Sequence, residues 1–229
     1  EEGIRIALIL KEAGAVDFFN AIYGSMENVP ALAKYNMPGM GTPLAPWVEP
    51  VGVFRHEVAL PVFHAARIAD LSSARYAVRE GKVDMAGMTR AQIADPYIVA
   101  KLASGRESEI RPCVGATHCQ SQHRPSCLHN PVTGRELTLK HEIPKAQGPA
   151  RKVVVIGGGP AGLEAARVSA ERGHEVSLYE AAAEFGGQIL LGATGSWRRD
   201  LKGIVEWRVA ELARLGASLH TNAYMDEQD

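Results

Sequence analysis

All three cysteines of this 229-residue chain, Cys113, Cys119 and Cys127, fall within one short stretch. An odd number crowded into a single loop does not suit a secreted disulfide framework, which spreads its pairs along the chain. Thiolates ligate soft and borderline metals, so three of them converging from one loop suit an iron–sulfur cluster or a zinc ion. The plain alternative is that one or more simply fills space as a small buried hydrophobe. The surrounding stretch, 109–150, also carries four of the eight His and five of the 13 Pro, with little periodicity. A segment so poor in regular pattern needs something other than an apolar core to order it, and a metal centre would serve.

A second set of residues points to phosphate chemistry. Gly157, Gly159 and Gly162 form a G-x-G-x-x-G turn, with Pro160 and Ala161 between the last two glycines. The turn follows the apolar run Val153–Ile156 and opens a helical pattern. In that context the glycines allow a tight turn, a close approach of backbone to a pyrophosphate, and close packing of helix on strand. The helix N-terminus then offers free N–H groups to the phosphates. Glu180, eighteen residues past Gly162, ends the next apolar run and is placed to hydrogen-bond an adenosine ribose. An acidic residue there suits FAD, NAD or ADP rather than a 2′-phosphate ligand. Gly187 and Gln188 would bring further backbone to the same ligand.

The elements that must position these residues fall into three parts, at 1–108, 109–150 and 151–229. In the first, Ile4, Ala7, Leu8 and Leu10 give an amphipathic helix ending near Gly14. Strands are predicted at Val16–Ile22, Ala59–His64 and Val83–Met88, with a long loop from Tyr23 to Ala45 and a helix from Trp47 to Phe54. Asp70 caps a helix that runs to about Glu80, and one further helix spans Ala91–Leu102, disturbed by Asp95-Pro96. Strands alternating with helices over short connections are parallel, and such strands are buried on both faces. In the third part, strands at Lys152–Ile156, Glu175–Glu180 and Ala217–Thr221 flank a helix from Leu163 to Arg172, opening a dinucleotide-binding domain.

Charge excludes several classes. Lys and Arg total 25 against 26 Asp and Glu, a formal net charge of −1, so no broad basic surface exists for nucleic acid. Neither a membrane-spanning apolar run nor a signal peptide is visible, which fits a cytoplasmic protein. Disorder is excluded by a hydrophobic content of 46%.

The cysteine loop resembles that of NADH:flavin oxidoreductases of the trimethylamine dehydrogenase and 2,4-dienoyl-CoA reductase type, relatives of Old Yellow Enzyme. Cys113, Cys119 and Cys127 match the first, third and fourth cluster ligands of that family. Ala116 stands where the second belongs, and the last spacer is shortened. The resemblance implies a [4Fe–4S] cluster, completed by His118, His123 or an outside ligand. A three-iron centre, or loss of the cluster, stays open beside it. Upstream, Ala66-Arg67-Ile68, Gly87-Met88-Thr89-Arg90 and Ile93-Ala94-Asp95-Pro96 resemble the last strands and helices of the family's (β/α)8 barrel. By that resemblance Ala66, Arg67, Thr89 and Arg90 surround an FMN phosphate, with Arg forks pairing its oxygens.

A complete barrel needs eight strands, and three are predicted here. Together with a start on Glu1 rather than Met, this leads to the expectation of a fragment of a longer enzyme. The expected architecture is thus α/β: the C-terminal part of a TIM barrel, an irregular Cys-rich loop, and the start of a Rossmann-like FAD/NAD-binding domain. The resemblance implies oxidative demethylation of a small N-methylated amine, with FMN, FAD or ADP, and an iron–sulfur cluster as cofactors. The stretch Leu-His-Asn-Pro-Val-Thr-Gly-Arg-Glu at 128–136 is most similar to N-methylproline or dimethylglycine demethylase relatives. The alternative is an NAD(P)H-dependent ene-reductase. Against it, Met26 occupies the place of the reductases' catalytic His, and a thioether cannot donate a proton. Catalytic residues are expected outside this stretch, although Tyr23, Trp47 and Glu27 are candidates for a cation pocket. Electron-transfer protein or NAD(P)H is the expected redox partner, and a homo-oligomer the expected assembly. A non-catalytic scaffold with a zinc loop is the reading from a different class.

Overall fold

The structure is a computed structural model that describes residues 1–120 and 123–225. It holds two three-stranded parallel sheets joined by the cysteine-bearing segment. The first part runs α1 (Glu2–Glu12), β1 (Phe19–Ala21), α2 (Val29–Ala31), a π-helical turn (Leu32–Asn36), α3 (Val48–Val58), β2 (Val62–His64), α4 (Leu71–Arg79), β3 (Met85–Ala86), α5 (Thr89–Ala94) and α6 (Ile98–Ala103). Strand order is β1-β2-β3, with Phe63 paired to both Asn20 and Met85.

Asp70 caps α4 as its residue type predicts, its carboxylate accepting from the Ser73 N–H at 2.7 Å. The Tyr23–Ala45 stretch is not a plain loop. Asn28 caps the short α2, accepting from the Ala31 N–H at 2.9 Å, with Pro at the start of the turn. The single helix predicted over Ala91–Leu102 is two helices instead. Pro96 lacks an N–H to continue α5, and Asp95 turns to extended backbone. The expected burial on both faces does not hold: in the central strand Val62 and His64 share one buried face while Phe63 on the other is half-buried, and Asn20 and Met85 on the outer strands are exposed. Each outer strand has one neighbour and therefore one uncovered edge.

The third part runs β4 (Lys152–Ile156), α7 (Pro160–Glu171), β5 (Glu175–Tyr179), α8 (Gln188–Gly192), a 3-10 stretch (Ser196–Lys202), α9 (Gly203–Arg214) and β6 (Ser218–His220). The strands lie in the order β4-β5-β6, Val153 opposite Val176 and Leu178 opposite Leu219. Leu163, Ala166, Val176, Leu178 and Leu212 form its core. A smaller apolar cluster of Val114, Ala193, Leu201 and Ile204 packs the cysteine segment onto this part. None of the helices is long and apolar enough to cross a membrane among the described residues.

Candidate functional site

The glycine turn has three separable jobs. Gly157 adopts a φ of +99°, a conformation side chains rarely take. At Gly162 a Cβ would fall on the Gly157 carbonyl oxygen, so the helix can approach the strand only with glycine there. Gly159 differs: its φ is −71°, and a Cβ there would meet nothing within 4 Å. Glycine at that position keeps open the space in front of the α7 N-terminus, where Pro160 begins the helix without needing an N–H partner. Those features fit a pyrophosphate. Gly187 comes close to this turn, since a Cβ on it would lie 3.3 Å from the Gly159 Cα. Gln188 follows as the first residue of α8.

Glu180 does more than sequence reading assigned to it. One carboxylate oxygen accepts from the Gly158 N–H at 2.6 Å and the other from the Ala182 N–H at 2.8 Å. The carboxylate therefore braces the fingerprint turn, and each oxygen retains lone-pair capacity for a ribose hydroxyl.

A second cavity, of about 340 Å³, opens where the first part meets the cysteine segment. Ala66, Arg67, Thr89 and Arg90 all line it, together with Gly87 and Cys119. Arg67 has a positive φ of 48°, a strained conformation for a non-glycine residue. Its side chain is 4% exposed and donates from Nη2 to Asp200 at 2.6 Å. Its Nε and Nη1 are buried without a partner. A buried guanidinium with unmet donors costs free energy unless an acceptor arrives, so the residues present fit a phosphate. Arg90 donates to the Pro38 carbonyl at 2.9 Å, and burial lowers its pKa while Cys113 and Cys119 oppose that.

The three thiols predicted as cluster ligands share a cavity lining. Cys113, Cys119 and Cys127 line one small cavity with Arg90, Ala116 and His118. Burial pushes the Cys113 and Cys119 thiols up, with Arg90 pulling the other way. His123 is exposed and lines neither cavity. Among the described residues no group of three His, Cys, Asp or Glu side chains is gathered to hold a single metal ion.

Sequence reading missed the residues that hold this segment in place. His129 is fully buried and its ring Nδ1 lies 2.9 Å from the Pro112 carbonyl, while its own N–H reaches the Cys127 sulfur at 3.4 Å. Burial, then the charge of Arg208, lowers its pKa to about 3. Asn130, also fully buried, donates to the Ile93 carbonyl at 3.0 Å. Asp95 pairs with Lys101 at 2.6 Å and accepts from the Arg111 N–H at 2.8 Å. Beyond it, Glu164 bonds Arg167 at 2.7 Å and Arg208 at 2.8 Å. Burial alone would raise the Glu164 carboxyl, but these guanidinium groups and Arg111 hold it at about 2. Trp207 lies against Arg111, 4.5 Å from its ring centroid, and donates to the Glu109 carbonyl at 3.2 Å. No local pattern in the sequence pairs Arg208 with Glu164, 44 positions away.

The pocket candidates Tyr23 and Trp47 do meet, stacked with centroids 4.4 Å apart and planes at 17°. Each spends one face on the other, so they offer a wall to a cation rather than a cage. Glu27 is exposed.

A family model described as pyridine nucleotide-disulphide oxidoreductase matches residues 73–211, more than half of the sequence. The chain belongs to that family. A multifunctional alkene reductase/demethylase from Caballeronia cordobensis is 53% identical over 229 residues, 100% of this chain and 34% of that protein. A probable N-methylproline demethylase from Rhizobium meliloti (strain 1021) is 46% identical over 231 residues, covering 99% of this chain and 34% of that protein. Among solved structures, 6-hydroxypseudooxynicotine amine oxidase from Pseudomonas geniculata N1 superposes with a TM-score of 0.86 at 25% identity, over 100% of this chain and 34% of that one. The chain spans about a third of the length of these proteins. Its likeness to flavoenzymes of the trimethylamine dehydrogenase type extends from end to end.

Proposed function

We propose that this chain carries cofactor sites of an enzyme that oxidatively demethylates a small N-methylated amine. The observation that supports it most is a shared wall: Arg90 and Cys119 line both the 340 Å³ cavity and the thiol cavity. An FMN phosphate held by Arg67, Arg90, Ala66 and Thr89 would place a flavin site beside the thiols. The first part is then the end of a (β/α)8 barrel, whose last strands carry phosphate sites. FMN, when bound, supplies the hydride acceptor for the substrate's N-methyl group, leaving an iminium that water converts to formaldehyde and the demethylated amine.

The chain's own residues do the holding. Arg67 and Arg90 would neutralise the phosphate and exclude water from it, and Asp200 fixes the Arg67 fork. Gly157, Gly159 and Gly162, with Glu180, Gly187 and Gln188, would bind FAD or ADP at the α7 N-terminus. NAD(P)H or an electron-transfer protein would then exchange electrons at that end.

Ene reduction is the second reading, and one relative's printed description couples alkene reduction with demethylation. The full-length protein separates them. Formaldehyde release from N-methylproline or N,N-dimethylglycine, with an artificial electron acceptor present, is the expected result. NADH oxidation driven by an activated alkene, with no formaldehyde from either amine, would overturn the demethylase reading.

A further inference from the structure

A cavity of about 450 Å³ opens between the end of the first part and helices α7 and α9, and it shares no lining residue with the glycine turn or the thiol cavity. Its volume is that of a small-molecule site. Five cationic side chains line it, and four of them are matched. Lys101 pairs with Asp95 at 2.6 Å, Arg106 with Glu109 at 3.5 Å, and Arg214 with Glu211 at 2.6 Å, while Arg167 is held by Glu164 and Glu171. Arg111 is the fifth. Alone among these five it forms no ion pair with any of the described residues, and its Nε is buried without a hydrogen-bond partner. Asp95 and Glu164 act on it only through space. Burial, then the charge of Arg167, lowers its pKa to about 10, so it stays charged at neutral pH.

A buried N–H without an acceptor costs free energy until one arrives. The Trp207 ring lies against the Arg111 guanidinium, with its centroid at 4.5 Å. Stacking occupies a face of the guanidinium and leaves the N–H donors along its edge, the geometry that a carboxylate meets with both oxygens. Tyr97 and His141 supply an aromatic flank to the same cavity, edge to face with centroids 6.3 Å apart. We propose that this cavity binds a small organic monocarboxylate, its oxygens on the Arg111 fork and its body against the aromatic side chains. One negative charge completes the pairing of the wall. A second would meet only acids, because Asp95, Glu109, Glu171 and Glu211 are already set against the other cations. The proposal does not depend on the demethylase reading or on the thiols.

The test is fluorine NMR of 4-fluorobenzoate titrated with the full-length protein, its cofactors in place. Line broadening that saturates is the expected result. Arg111→Gln should weaken binding about tenfold or more. Ala100→Trp leaves Arg111 intact and adds its bulk from an exposed position of α6 on the cavity wall, and it should also remove the broadening. This second variant carries the test if loss of the Arg111 charge unsettles the fold. No saturable broadening with the wild type would overturn the proposal. Binding retained by Ala100→Trp would place the probe in another site, and binding retained by folded Arg111→Gln would remove the guanidinium from recognition; either result overturns it. Inorganic phosphate displacing the probe as effectively as unlabelled benzoate would overturn the choice of a carboxylate.

Discussion

The two ends of this molecule build their sites in opposite ways. At the fingerprint turn the backbone sets the geometry: Gly157, Gly159 and Gly162 sit in one turn, and Glu180, just past the neighbouring strand β5, reaches back to Gly158. At the junction, Arg67 meets Asp200, Cys119 shares a cavity wall with Arg90, and Glu164 joins Arg208 near Arg111. The first kind of site is fixed by backbone geometry. The second is fixed by charges and carbonyls that must find each other across the fold. Substitutions at the two ends should therefore fail differently, one by losing ligand and the other by losing the joint.

The largest effect is expected at the joint. Glu164→Ala leaves Arg208, whose side chain is 4% exposed, without a carboxylate, and leaves Arg167, 6% exposed, with Glu171 alone. Because the Glu164 side chain keeps 18% exposure, water screens part of the loss, and about 3 kcal/mol is expected by urea unfolding. The same pair sets a pH dependence. Glu164 is held at about 2 in the folded state and returns to about 4.3 when unfolded. Its stabilisation is complete above the unfolded value and disappears as pH falls through about 2. Glu164→Gln should flatten the stability profile over that acid window. An unchanged profile would mean that the pairing contributes nothing.

Gly162→Ala comes next, at about 2 kcal/mol, since the added methyl must displace the Gly157 carbonyl. It should also weaken the adenine cofactor, which a joint variant should not. Asp70→Ala removes the α4 cap and is expected to cost about 1 kcal/mol in thermal unfolding, with no change in either cofactor.

The same contrast explains what the sequence disclosed. Asp70 was legible as a cap because capping needs only a side chain three residues from a free N–H. The fingerprint was legible because glycine is favoured at a φ of +99°, as at Gly157, and required where a carbonyl lies in the way, as at Gly162. The break at Asp95-Pro96 was visible, but not that it splits the helix in two. The crowding of the cysteines was legible, yet the packing of Ala116 against the cluster of Leu201 and Ile204 was not. Nothing near Arg67 in sequence announces Asp200, 133 positions away. Long-range ion pairs of that kind are tertiary choices, and no local pattern encodes them.

On the proposed reading, two cofactor sites, separately built, lie on this one chain. Cofactor content of the full-length protein, released and quantified for two variants, tests it most directly. Arg67→Ala should lose FMN and keep the adenine nucleotide, because Arg67 lines only the junction cavities. Gly159→Val should do the reverse, since its side chain enters open space in front of α7 and leaves the fold undisturbed. If either variant lost both cofactors equally, or neither lost any, the separation of the two sites would be contradicted.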